Sequence, residues 1–150
     1  MKRDMKIEKK LFRSGPYSDF FSQGVQVGNT VYLSGQVGTD DAGNAPADIV
    51  EQMKLAYAHV ESVLAAYEAT MDNVVEETWF VTDVSDCMAK VGELFGARQE
   101  IYGKIPEVCQ TLVGVTALVD PSFHIEIKCV AVVAYTQKKE ERAHGRIKAF

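Results

Sequence analysis

The run Ile125-Glu126-Ile127-Lys128-Cys129-Val130-Ala131-Val132-Val133-Ala134 alternates at its start and becomes apolar on both faces towards its end. Successive strand side chains point to opposite faces, so the end of such a run needs cover on both sides. With helices on one face of such a sheet, the other face is either solvated or buried by a partner. A sheet buried on both sides fits an oligomer better than a bare monomer.

The helices are legible from periodicity. From Asp48 to Tyr67, apolar residues fall at Ile49, Met53, Ala56, Val60, Val63, Leu64 and Tyr67, the three-four spacing of one helical face. Asp48 with Glu51 three residues later resembles a capping box. A second helix is predicted from Asp86 to about Tyr102, with Ser85 as N-cap and Gly103 and Pro106 ending it.

Strand signals surround them. Lys6 to Arg13 reads as an edge strand, closed by the turn Ser14-Gly15-Pro16-Tyr17. Val25 and Val27 alternate with polar neighbours, Gly28-Asn29 makes a turn, and Thr30-Val31-Tyr32-Leu33 resumes a β-rich run. Thr39 to Pro46 is a polar loop, and Val74 to Thr82 is a further strand. Cys109 to Leu118 and Phe123 to Tyr135 read as a β-hairpin turning near Asp120-Pro121. The order ββ(β)αβαββ predicts an α+β domain, two helices packed on one face of a mixed sheet. It spans residues 1–136. A charged tail, 137–150, follows; its state is open between a solvated segment and a short helix docked through Ile147 and Phe150.

Charge and cysteine usage exclude some function classes. A net charge of −5, with no dense basic stripe before the tail, argues against nucleic acid as a partner, because backbone binding needs Lys and Arg. The three cysteines, Cys87, Cys109 and Cys129, have no disulfide-framework or metal-cluster spacing and fit a reducing compartment. No apolar run approaches the roughly 20 residues that span a bilayer, and residues 1–10 are charged. The expected location is the cytoplasm. His59 lies off the main helical stripe and is expected to be exposed. With His124 and His144 it makes no catalytic or metal constellation.

Four ordered segments resemble one family. They are Gly15-Pro16-Tyr17-Ser18 followed by Ser22-Gln23-Gly24-Val25; Val31-Tyr32-Leu33-Ser34-Gly35-Gln36-Val37; Thr78-Trp79-Phe80-Val81-Thr82-Asp83; and Leu112-Val113-Gly114-Val115-Thr116-Ala117-Leu118 followed by Ile125-Glu126-Ile127-Lys128-Cys129-Val130-Ala131. Together they cover residues 7 to 135, and the chain is similar to the RidA/YjgF, or L-PSP endoribonuclease-like, proteins. The resemblance implies a chorismate-mutase-like fold and a barrel-like homotrimer with small-molecule clefts between subunits. It also implies cofactor-free, metal-free hydrolysis of reactive enamines and imines. Endoribonuclease activity, often asserted for the family, finds no His/His or His/Lys pair here to support it. A non-catalytic metabolite-binding trimer is the other alternative.

Imine hydrolysis of an amino-acid-derived intermediate needs a cation for the substrate carboxylate, small donors around the reacting carbon and a group that positions water. The resemblance puts Glu126 in the water-positioning role, against the plainer reading of a solvent-facing strand residue. Ser34 and Gly35 match a turn that offers donors to a ligand, or they form a tight bend. The family's carboxylate-binding Arg belongs at the start of the penultimate strand. Here that segment reads Pro106-Glu107-Val108-Cys109-Gln110-Thr111, and counting back from Val113 places Gln110 at the Arg position, with Thr111 beside it. Tyr17 matches the family tyrosine, but about four extra residues place Phe21 there when counted from the strand. An aromatic cover over the cleft and plain packing of Phe20 and Phe21 stay open. Arg98 shares a stripe with Met88, Val91, Phe95 and Tyr102, where a lone charge is costly. Two readings stand open: a snorkelling Arg or an interfacial salt bridge, and an Arg that reaches the intersubunit cleft and supplies the missing cation. Cys109 is expected to be buried and Trp79 to pack in the core.

Overall fold

One sheet of seven strands organises the computed structural model, which describes residues 6–134. The expected tail and the boundary at 136 lie outside the described residues. The strands are β1 Lys10–Phe12, β2 Gly24–Val27, β3 Thr30–Leu33, β4 Gln36–Val37, β5 Val74–Val81, β6 Cys109–Gly114 and β7 Ile125–Val132. Their spatial order is β1-β2-β3-β7-β5-β6, with β4 also pairing β7 beyond β3. The two-sided apolar run thus becomes a central strand, flanked by β3 and β4 on one edge and by β5 on the other.

The predicted hairpin of the last two strands is not formed. β5 lies between them, antiparallel to β7 and parallel to β6. A parallel pair requires a crossover, and the helices between β5 and β6 supply it. The turn signals at Asp120-Pro121 mark a loop joining non-adjacent strands. Local turn chemistry carries no information about which strand fills the space between them.

Helix α1, Ile49–Ala65, buries the predicted stripe of Ile49, Met53, Ala56, Val60, Val63 and Leu64, and Tyr67 is buried just beyond it. The capping box at its start is absent. Asp48 makes no side-chain cap, and its carboxylate instead accepts from Lys90 Nζ at 3.2 Å. The predicted second helix is two helices, α2 Val84–Ala89 and α3 Val91–Tyr102, separated at Lys90. Asp83 rather than Ser85 caps α2, accepting from the Asp86 N–H at 3.0 Å; Ser85 lies inside the first turn. Gly103 ends α3 at φ 75°, a left-handed position that favours glycine.

All three helices lie on one face. There Val31, Leu33, Trp79, Val81, Ile125, Ile127 and Cys129 of the sheet meet Met53, Ala56, Tyr57, Val60, Leu64 and Leu94 in a continuous core. Gln52 is fully buried on that face of α1. Its Nε2 donates to the carbonyls of Pro46 (2.7 Å) and Ser122 (2.8 Å), and its Oε1 accepts from the His124 N–H (2.8 Å). This ties the β6–β7 loop to the helix. His59, expected to be exposed, is half-buried, with Nε2 2.9 Å from the Thr39 carbonyl oxygen. The opposite face of the sheet has no covering element among the described residues.

Candidate functional site

Pairing across β7, β5 and β6 arranges the open face in rows, because cross-strand partners share a face. Glu126, Phe80 and Val113 form one row; Lys128, Thr78 and Thr111 form the next. The alternating row Cys129, Glu77 and Gln110 turns to the helices.

Ser34 and Gly35 break the strand between β3 and β4, which both pair with β7. The Ser34 hydroxyl donates to the Ser22 carbonyl at 2.7 Å, and its N–H donates to the Gln23 carbonyl at 2.8 Å. The Glu126 side chain lies against Gly35, where an added Cβ would collide with its carboxylate; only glycine leaves that space. Ser22, Val25, Tyr32, Ser34, Gly35, Phe80, Glu126 and Lys128 line an open groove of about 480 Å³. Glu126 is half-buried, and neither of its oxygens accepts a hydrogen bond from a described residue. Burial pushes its pKa above the ordinary carboxylate value, against a smaller opposite pull from Lys128. A desolvated carboxylate without donors is suited to taking up and returning a proton.

Glu77, on the helix side, is its opposite. It is fully buried and holds four donors: Arg98 Nε (2.5 Å) and Gln110 Nε2 (3.0 Å) on Oε1, and the Tyr57 (2.7 Å) and Tyr102 (2.8 Å) hydroxyls on Oε2. The Trp79 indole N–H donates to the Tyr57 oxygen at 3.1 Å. Burial, then the Glu77 charge, drives both tyrosine pKa values far upward, so the hydroxyls stay donors. Burial opposes the charge on Arg98, but Glu77 more than offsets it, and the guanidinium pKa rises. Phe95 and Tyr102 rings flank the guanidinium, each 5.4 Å away.

The predicted site residues are therefore divided. Glu126, Ser34 and Gly35 meet in the groove, and Thr111 shares its face. Gln110 and Arg98 are engaged on the other side of the sheet by Glu77. Tyr17 and Phe21 stack on each other, centroids 5.7 Å apart, at the entrance to the strand carrying Gly24, while Phe20 is exposed. Cys109, expected to be buried, is exposed, because the first residue of β6 lies on the sheet edge. Trp79 is in the core. Among the described residues no group of three His, Cys, Asp or Glu could hold a metal ion, and no helix is long and apolar enough to cross a membrane. Glu77 and Lys128 escaped the sequence reading. The adjacent pair Glu76-Glu77 in a strand was a signal, since one of the two must face inward. Lys128 follows Glu126 by two residues, the period of one strand face.

Known proteins share this fold. The chain matches the family model described as Endoribonuclease L-PSP over residues 13–133. It is 32% identical over 125 residues to the RutC family protein YjgH of Escherichia coli, covering 81% of this chain and 92% of that one. It is 35% identical over 125 residues to the mouse (Mus musculus) 2-iminobutanoate/2-iminopropanoate deaminase, covering 79% and 82%. A solved structure of a YjgF/YER057c/UK114 family member from Mycobacterium tuberculosis superposes with a TM-score of 0.70 at 29% identity, covering 84% of this chain and all of the other. With its α+β fold, its matched motifs and these relatives, the chain belongs to the RidA/YjgF family of L-PSP endoribonuclease-like proteins.

Proposed function

We propose that the chain is a cofactor-free hydrolytic deaminase of small reactive imines and enamines, with Glu126 as its proton-transferring residue. The carrying observation is the Glu126 carboxylate: half-buried, against Gly35, and without a hydrogen-bond donor among the described residues. Water adds to the imine carbon while Glu126 takes its proton. Glu126 returns the proton to nitrogen to give a carbinolamine; a second transfer through Glu126, from the carbinolamine hydroxyl to nitrogen, then breaks the C–N bond and leaves ammonia and a carbonyl product. Relatives named as deaminases of 2-iminobutanoate/2-iminopropanoate and of reactive intermediates support the reaction class.

In this reading the groove is completed by a neighbouring copy in a homotrimer, with Tyr17, Phe21 and Thr111 as further ligand contacts. The open face supports this. Tyr32 in the groove and Val132 at the end of β7 are 50% and 43% exposed, apolar surface that a neighbouring copy would cover. The three free cysteines fit action in the cytoplasm. A non-catalytic metabolite-binding trimer is the second reading. It is favoured by the engagement of both Arg98 and Gln110 with Glu77, which leaves no guanidinium among the described residues that line the groove.

Ammonia release from freshly generated 2-aminoacrylate tests the proposal. The wild-type trimer is expected to release ammonia above the buffer rate, and Glu126→Gln to lower kcat/KM by about 10²–10⁴-fold. No release at high concentration of a folded trimer would leave the binding reading in its place.

A further inference from the structure

Lys128 stands in the middle of the central strand, on the open face and in the groove. Its ammonium is exposed and makes no ion pair or hydrogen bond with a described residue. It is the only cation among the described residues that line the groove. Two residues along one strand face are about 6.6 Å apart, and the Lys128 and Glu126 heads do not close on each other. The surrounding rows differ in chemistry. Thr78 and Thr111 continue the Lys128 row with hydroxyls, whereas Phe80 and Val113 continue the Glu126 row with apolar surface.

We infer that Lys128 holds the anionic group of the ligand, which is a small compound bearing a carboxylate or similar anion next to its reacting carbon. This rests on the deaminase reading of the same groove and deepens it. An anion at the Lys128 row meets an ammonium and two threonines. Reversed, it would face the Glu126 carboxylate and be repelled. The charge order along β7 thus fixes ligand orientation, setting the reacting carbon against Glu126 and Phe80. A lysine is a point charge rather than a bidentate fork, so it holds the anion without demanding a planar carboxylate.

Other clusters on the molecule are already satisfied. The Glu77 carboxylate already accepts from four donors, two on each oxygen. A second depression of about 450 Å³, lined by Glu61, Asp72, Ile101 and Tyr102, has its Asp72 paired with Lys104 at 3.0 Å.

The test is binding of 2-oxobutanoate and of its methyl ester to the full chain, followed by calorimetry. Wild type is expected to bind the acid more tightly than the ester, and added salt to weaken only the acid. Lys128→Met is expected to weaken the acid about ten- to a hundredfold, to the level of the ester, and Lys128→Arg to restore it. Glu126→Gln is expected to keep acid binding while losing ammonia release. Lys128 makes no ion pair or hydrogen bond with a described residue, so circular dichroism should report folded variants; if Lys128→Met fails to fold, the salt and ester comparison in wild type carries the test. Equal binding of acid and ester by wild type, or undiminished acid binding by folded Lys128→Met, would overturn the inference. Lys128-dependent acid binding without ammonia release would end the deaminase reading and leave this one in place.

Discussion

Two glutamates on neighbouring antiparallel strands have opposite surroundings. Glu77 of β5 faces the helices and accepts from an arginine, a glutamine and two tyrosines. Glu126 of β7 faces the open side and accepts from no described residue. Strand alternation alone separates them, since Glu126 pairs with Phe80, and Glu77, three residues before Phe80, pairs with Cys129. A carboxylate whose lone pairs are all engaged serves the architecture. One left desolvated and unpartnered is available for chemistry. Arg98 and Gln110, both candidates for the groove, are held by the first glutamate and so are absent from the second.

The largest expected effect comes from breaking the saturated side. Glu77→Ala strands the Arg98 guanidinium in the core and should cost about 3–5 kcal/mol, read from urea unfolding. A cost near zero would mean that water reaches the cluster and that the contrast between the two glutamates is false. Removing one donor should do less. Tyr57→Phe leaves Glu77 with three donors and the Trp79 N–H without an acceptor, a loss of about 1–3 kcal/mol by thermal unfolding. The smallest effect should appear at Glu126, with the opposite sign. Its folded pKa is raised, so the stability linked to this group is present below the unfolded carboxylate pKa and is lost as pH rises through the folded value. Glu126→Gln should therefore match wild type at about pH 4 and be slightly the more stable by about pH 7. A variant less stable than wild type at neutral pH would place a hidden partner on Glu126.

Much of the frame was legible locally. The α1 stripe, the β2–β3 turn at Gly28 and the helix stop at Gly103 are short-range signals, and the chain folds as they read. The groove was legible in part. Ser34-Gly35 and Glu126 carry motif information, and Lys128 could have been found by counting two from Glu126. Gln110 was misplaced for a definite reason. Counting along a strand assigns a position but not a face, and a shift of one residue moves a side chain to the opposite side of the sheet. Arg98 was recognised as a buried charge in need of a partner, but the partner lies 21 positions away on another element.

The sequence by itself determined the α+β class, the buried face of α1, the apolar end of the last strand and the family, because each rests on periodicity or on residues close together in the chain. Only the tertiary structure decided that β5 inserts between β6 and β7. From that one insertion follow the buried Glu77 cluster, the capture of Gln110 and Arg98 within it, and the placing of Phe80 and Thr78 beside Glu126 and Lys128. Strand order is chosen by burial and backbone pairing summed over the whole domain, and no short stretch of sequence contains that sum.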